Sequence, residues 1–466
     1  MTRPAFTAPR GWLILPALLL TVLIYFPGLG GDYMFDDMIN LLENPRLKLE
    51  SLDLESIRSA ALSSGSGHLR RPVSMLSFSL NQYFFGDSPY PHKVFNLIIH
   101  LLTGAGLYLL CRMLVRACRL YRKPELPTSA TTWLPLIVAS LWLVHPLNLT
   151  SVLYIVQRMT SLSSLFMVCG LCLYVAGRLR LLENRPGVAH ILTGLLLFGG
   201  LAVFSKESGA LLPLYMLAVE LALFRFRSRD GQFDIFISGL FTLCLLLPGL
   251  AVLYILVSDP AVFLSSYQGR EFTLAERLLT EARVVVFYLQ MIIMPSITEL
   301  GLQHDDIPLS RGLFDPPATL YSLMALAGLL LTALLLLKRQ PLISLGILWF
   351  FSGHMMESTF LPLEIAHEHR NYLAGFGILL ALASAGLQLP LQQLRPAFLI
   401  ITPVLFLALF SYTTWLRAGQ WSNNITHAVY EARHHPGSFR SVYGAGRIHA
   451  RLALAGQMEH KDKAYA

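Results

Sequence analysis

The chain reads as an all-α polytopic membrane protein of about eleven transmembrane helices, and three observations predict this. Of its 466 residues, 54% are hydrophobic and only 14% charged, which no water-soluble domain of ordinary composition matches. Apolar runs of about 17–25 residues, the length a helix needs to cross hydrocarbon, recur along most of the sequence. The 36 Lys and Arg against 28 Asp and Glu sit in short clusters between those runs. That placement reflects topology, so the expected partner is a lipid bilayer and no nucleic acid is expected. Helix is the expected structure because its backbone hydrogen bonds close within the segment.

In order, the spans fall at 12–29, 94–114, 133–150, 160–177, 188–204, 208–224, 235–257, 317–337, 341–356, 372–389 and 397–416. The first follows Arg3 and Arg10 and lacks a small-residue cleavage site, so it reads as a retained signal anchor. Arg112, Arg116, Arg119, Arg122 and Lys123 then fall on the side of the N-terminus. So do Arg178, Arg180 and Arg185, then Arg225, Arg227 and Arg229, then Lys338 and Arg339, and finally Arg395. The excess of cations makes that side cytoplasmic. Loops 30–93, 258–316 and 357–371 and the tail are then extracytoplasmic.

A full crossing at 282–294 would reverse Lys338 and Arg339, so this stretch reads as an interfacial helix. Phe272, Ala275, Leu278, Leu279 and Ala282 recur at helical spacing, with Glu276, Arg277 and Glu281 between them. The chain divides into a membrane domain, 1–416, and a tail, 417–466, that reads as two polar helices broken at Pro436 and Gly437. The tail resembles a tetratricopeptide unit but is too short to form a solenoid. Cys111, Cys118, Cys169, Cys172 and Cys244 all lie in or beside spans and read as packing residues.

The stretch YMFDDMINLLENPRL, Tyr33 to Leu47, follows the first span directly. An acidic pair in a loop is ordinarily a solvated one. A carboxylate held against a bilayer surface is instead partly desolvated and more basic, which suits a base that takes a proton from a hydroxyl. Two neighbours, Asp36 and Asp37, also allow one to act as base while the other orients a nucleophile or binds a divalent metal. Arg158 interrupts an apolar stretch on the outer side, near His145 and Gln157; snorkelling and an anionic partner both account for it. Lys206 and Glu207 occupy a short external turn, either as an ion pair capping two helices or as part of a site.

The densest external cluster holds Glu357, Glu364, His367, Glu368, His369, Arg370, Asn371 and Tyr372. His367 and His369 are two apart, unlike the i, i+4 pair of a zinc-binding HExxH helix, so a metal is open but not indicated. A guanidinium beside imidazoles suits a phosphate, which it can grip in a forked pair.

In order and placement, FDDMINLLENPRL, RRPVSMLSFSLN, HKVFNLIIHLL, HPLNLTSVLYIVQRMTSLSSLF, SKES and EHRNYLAG together resemble the GT-C class of multi-spanning glycosyltransferases. The likeness covers nearly the whole chain and is closest to the protein O-mannosyltransferases that carry transmembrane and tetratricopeptide regions. The sequence also looks like bacterial arabinofuranosyltransferases acting on type IV pilins. The resemblance implies transfer of a sugar from a polyprenyl-phosphate donor to a protein hydroxyl, with inversion, on the periplasmic face of a bacterial inner membrane. It implies Asp36 as base and Asp37 as helper or metal ligand, with Arg158, Lys206, His369 and Arg370 on the donor phosphate. Arg71, His92, Glu207, Glu364 and Tyr372 are further candidates, and the interfacial helix is a guide for the polyprenyl chain. No organic cofactor is implied.

Two other readings compete. A flippase of polyprenyl-linked saccharides would keep charges or broken helices near mid-membrane, often in paired repeats, and neither stands out. A scaffold would depend on its tail and not on its loop carboxylates.

Overall fold

The computed structural model describes residues 11–121, 130–388, 397–456 and 462–464. Arg3, Arg10, Arg122, Lys123 and Arg395, used above for orientation, lie outside them, as does residue 389. Among the described residues the fold is helical, with isolated bridges in place of strands. The elements that matter for the site are α1 (Leu15–Tyr25), α2 (Pro72–Phe85), α3 (Pro89–Tyr121), α4 (Ala130–Leu143) and α5 (Arg158–Leu182). Next come α6 (Val188–Ser205), α7 (Glu207–Phe224) and α8 (Ile235–Ser258), then α9 (Leu274–Ile293), α10 (Ala318–Leu336), α11 (Pro341–His354) and α12 (Asn371–Gly386). The chain closes with α13 (Ala397–Gln420), α14 (Asn424–His434) and α15 (Phe439–Leu454).

Eight of the described helices are long and apolar enough to cross a bilayer, or nine if one bent pair counts as a single span. The chain is a polytopic membrane protein, with eight or nine such spans among the described residues against the eleven expected from the sequence. The stretches 341–356 and 372–389 correspond to α11 and α12, which run for 14 and 16 residues. α11 and α12 pack closely because Gly346 and Gly377 face each other, and a Cβ on either would collide with the other's carbonyl.

The span expected at 133–150 breaks by 51° between Leu143 and Pro146. The residue before a proline is driven out of the α region, and His145 is extended, at φ −71° and ψ 127°. The carbonyls released by the break find donors inside the protein. Asn148 Nδ2 reaches Trp142 O at 2.7 Å, Thr414 Oγ1 reaches Val144 O at 2.7 Å, and Arg417 reaches Pro146 O at 2.7 Å. Irregular backbone within a bundle persists only when satisfied in this way.

The bundle has two polar ends. At one, Arg116 of α3 pairs with Glu183 at 3.0 Å, and the fully buried Arg178 of α5 pairs with Glu220 at 2.9 Å and Asp234 at 3.0 Å. At the other, Arg71 pairs with Glu207 at 3.0 Å, Lys206 with Glu357 at 2.9 Å, and Arg417 with Glu368 at 3.0 Å. Asp36, Asp37 and the tail belong to this second end.

α9 is not among the eight candidate spans. Its start is fixed by a reciprocal cap: Glu276 N donates to Thr273 Oγ1 at 3.3 Å, and Thr273 N to Glu276 Oε2 at 2.8 Å. Of the apolar stripe, Ala275 and Leu278 are exposed, Phe272 and Leu279 half-buried and Ala282 buried, while Arg277, Thr280 and Glu281 are buried, the two charges paired with each other at 2.8 Å.

Replacing Glu220 with Ala strands the Arg178 guanidinium in the interior and is expected to lower stability by about 3 kcal/mol, the low end for such a loss because Asp234 remains. Thermal unfolding in detergent should show the drop, and the R178M/E220L double variant should recover most of it. Equal midpoints for wild type and E220A would mean the pair is idle.

Candidate active site

Asp36 and Asp37 follow a short turn that leaves α1. Phe35, just before them, has φ 41°, a left-handed conformation that a bulky side chain adopts only under constraint. Asp37 supplies that constraint. Its Oδ2 accepts from Met34 N at 3.1 Å and its Oδ1 from Val156 N at 2.7 Å. The first loop is thereby tied to the irregular segment ahead of α5. Asp37 is fully buried, and burial pushes its carboxyl up to about 7 against the opposing pull of those two N–H groups and Lys93.

Asp36 is only half-buried. Its N–H donates to Tyr154 Oη at 3.0 Å, and it borders a cavity of about 700 Å³. Desolvation raises its carboxyl above the usual range; the Tyr154 hydroxyl opposes this and the nearby Glu364 adds to it. Arg440, Arg447 and Arg451 of α15 line the same cavity, together with Glu43 and Glu431. None of Arg158, Lys206, His369 and Arg370 borders it.

Lys206 and Arg370 form a separate cluster around Glu357. Lys206 Nζ contacts Glu357 at 2.9 Å and Thr160 Oγ1 at 3.1 Å. Arg370 lies 3.4 Å from Glu281 and 3.7 Å from Glu357. Burial alone would raise Glu357, but Lys206 and Arg370 hold it down at about 2. His369 stacks on His367 with ring centroids 5.0 Å apart. Burial, reinforced by Lys206, holds His369 well below the ordinary imidazole range, so it offers a neutral ring and not a charge.

Arg71 and Glu207 close one side, with Arg71 Nε 3.0 Å and 3.2 Å from the two carboxylate oxygens; Arg70 and Arg71 both have positive φ, 56° and 46°. Glu364 links the two groups. It contacts Arg270 at 3.4 Å and Arg440 at 3.7 Å, and it acts electrostatically on both Asp36 and His367.

Three sequence candidates sit elsewhere. Arg158 is wholly buried, its guanidinium donating to Asn96 Oδ1 at 2.6 Å, Ser77 O at 3.1 Å, Asn81 Oδ1 at 2.9 Å and His92 O at 2.9 Å. It ties α2, α3 and α5 together, with the His92 ring 3.2 Å away. The Tyr372 hydroxyl is 2.9 Å from His100 Nδ1, deep in the bundle.

Sequence reasoning overlooked the site roles of Tyr154, Arg277, Glu281, Arg417 and Arg440. A signal existed for three of them. Arg277 and Glu281 stand four apart on an apolar helix, and Arg417 ends an apolar span on the same side as the acidic loops.

This chain is similar to a curated protein O-mannosyl-transferase of Caenorhabditis elegans. The two are 24% identical over 433 residues, covering 90% of this chain and 56% of that protein. The chain thus spans about half the length of the relative it matches. No protein-family model matches the chain, and no solved structure matches it.

The Asp37 geometry makes a pH prediction. A buried carboxyl raised from near 3.8 to about 7 favours folding while it keeps its proton. Its contribution is complete below about pH 4 and is lost as pH rises through about 7. D37A loses the two backbone contacts at every pH, so its deficit relative to wild type should be larger at pH 5 than at pH 8. Thermal midpoints across that range test this, and parallel profiles would contradict it.

Proposed function

We propose that this chain is a membrane glycosyltransferase that moves a sugar from a polyprenyl-phosphate donor to a Ser or Thr hydroxyl of a protein acceptor, with inversion at the anomeric carbon. The observation that carries the reading is a half-buried carboxylate of raised basicity, Asp36, at a roomy cavity, coupled electrostatically through Glu364 to the buried cluster that holds Lys206 and Arg370. The similarity to a protein O-mannosyl-transferase supports the same class of chemistry.

In the proposed step, Asp36 takes the proton of the acceptor hydroxyl as its oxygen attacks the anomeric carbon. The bond from that carbon to the phosphate oxygen breaks, and the phosphate leaves with the electron pair. Lys206 and Arg370 take up the charge that gathers on it, with His369 as a neutral hydrogen-bonding neighbour and Arg71 and Glu207 at the border. Asp37 holds the turn that aims Asp36. Arg158 and His92 position that framework, and Tyr372 supports it from the bundle. A divalent metal is left open. The acceptor implied by the pilin-enzyme likeness is a pilin, and the reading places the Asp36 face in the periplasm of a bacterial inner membrane, with the N-terminus cytoplasmic. The 417–466 tail, tetratricopeptide-like in pattern, forms one wall of the acceptor cavity.

The test uses the full chain in nanodiscs with a synthetic polyprenyl-phosphate sugar and a Ser/Thr-containing pilin peptide, read by mass spectrometry. D36N should fold and lose about 10²–10⁴-fold in rate, while wild-type activity should fall as acid protonates Asp36. Wild-type rates in D36N would refute the mechanism, and movement of the donor across vesicles without a covalent product would favour the flippase.

A further inference from the structure

The loop after α9 and the turn between α14 and α15 meet at a group of side chains with no part in the proposed transfer. His304 and Asp306 come from the loop and His435 from the turn. One ligand atom from each lies within 4.8 Å of the others. The two imidazoles are 5% and 7% exposed, and the Nε2 atoms of both are buried with no hydrogen-bond partner. Two orphaned imidazole nitrogens in one place are unusual, because a buried polar atom without a partner costs about 1–3 kcal/mol. Asp306 already approaches this pair, with its Oδ2 3.0 Å from His435 Nδ1. A cavity of about 460 Å³ opens beside the group and leaves room for a further ligand.

We propose that His304, Asp306 and His435 bind a divalent transition-metal ion of the zinc class. Two imidazoles and one carboxylate form a common three-residue protein ligand set for zinc, with a fourth position left to water. The residue types argue against magnesium or calcium, which prefer oxygen donors.

The site would act as a clip between the tail and the membrane domain. Beside it, Leu302 N donates to both carboxylate oxygens of Glu431 at 3.1 Å, and Asp305 meets Ser438 and the Arg440 backbone. The same loop contributes Leu302 and Gln303 to the wall of the Asp36 cavity. A bound ion would therefore hold the tail in place over that cavity. The assignment rests on these residues alone and does not need the glycosyltransferase reading.

The test strips the purified full chain in nanodiscs with a chelator, then titrates zinc chloride alone against a chromophoric competitor. Wild type is expected to take up one zinc per chain and to melt at a higher temperature when loaded. H304Q and H435Q should each weaken zinc binding by at least about 100-fold, since losing a ligand does more than losing one of its outer supports, and zinc should no longer shift their midpoints. D36N, which should slow transfer by about 10²–10⁴-fold, should bind zinc like wild type, which separates failure of the two ideas. Wild type that takes up no stoichiometric zinc would overturn the assignment, and this outcome does not depend on whether any variant folds. Undiminished binding in the H304Q/H435Q double variant would overturn it as well.

Discussion

The site depends on how one irregular loop, residues 357–365, is held against the helices. Carbonyls that leave a helix within a bundle must find donors in the protein. Two buried guanidiniums supply them here. Arg277 donates to the carbonyls of Glu357, Thr359 and Leu363, and Arg370 to those of Glu364 and Ile365. Glu281 sits between the two cations, 2.8 Å from Arg277 and 3.4 Å from Arg370, and offsets the repulsion of placing them together. With the loop fixed, Glu357 meets Lys206 and Glu364 comes within electrostatic reach of Asp36. A planar fork with five donors suits this task, and a lysine could not reproduce it.

Features governed by one-dimensional patterns were legible in the sequence. Hydropathy marked the long helices, because crossing lipid demands about twenty apolar residues in a row whatever surrounds them. It could not tell a full-length span from a shorter helix such as α11 or α12, since a short apolar helix inside a bundle has the same composition as part of a span. The break at His145 was visible as a proline but not as a break, because its tolerance depends on Asn148, Thr414 and Arg417, the last two far away in sequence. Arg158 was legible as an anomaly, yet its role was not. A lone arginine in an apolar stretch does not reveal whether it faces a ligand or the backbone of its neighbours, and this one faces Ser77, Asn81, His92 and Asn96. The tail's docking onto residues 297–306 was likewise invisible, because only the fold brings Tyr430 to the Ile297 carbonyl at 3.0 Å.

The acidic pair illustrates how adjacency can divide a task. Asp36 and Asp37 open a helical turn, and neighbouring side chains on a helix point about 100° apart, so the two reach different surroundings. Asp37 points inward, where both oxygens accept backbone N–H groups, and the strained Phe35 is the consequence of closing that turn. Asp36 points to the cavity, where Tyr154 is its anchoring neighbour. A buried carboxyl with both oxygens engaged by backbone N–H groups has no face left for an acceptor hydroxyl, so under the proposed reaction the structural burden on Asp37 leaves the chemistry to Asp36, which borders the cavity.

Charge compensation also bears on how an anion could enter. Lys206 and Arg370 share Glu357, so a donor phosphate must compete with a carboxylate already strongly held as an anion. Under the proposed reaction the lipid donor is a phosphodiester with one negative charge, and the lipid phosphate left behind gains a second. The second charge strengthens its claim on Lys206 and Arg370 relative to Glu357. Cations that are preoccupied in the resting state would therefore bind the departing phosphate better than the incoming donor, and interactions that strengthen along the reaction path are the kind that lower a barrier.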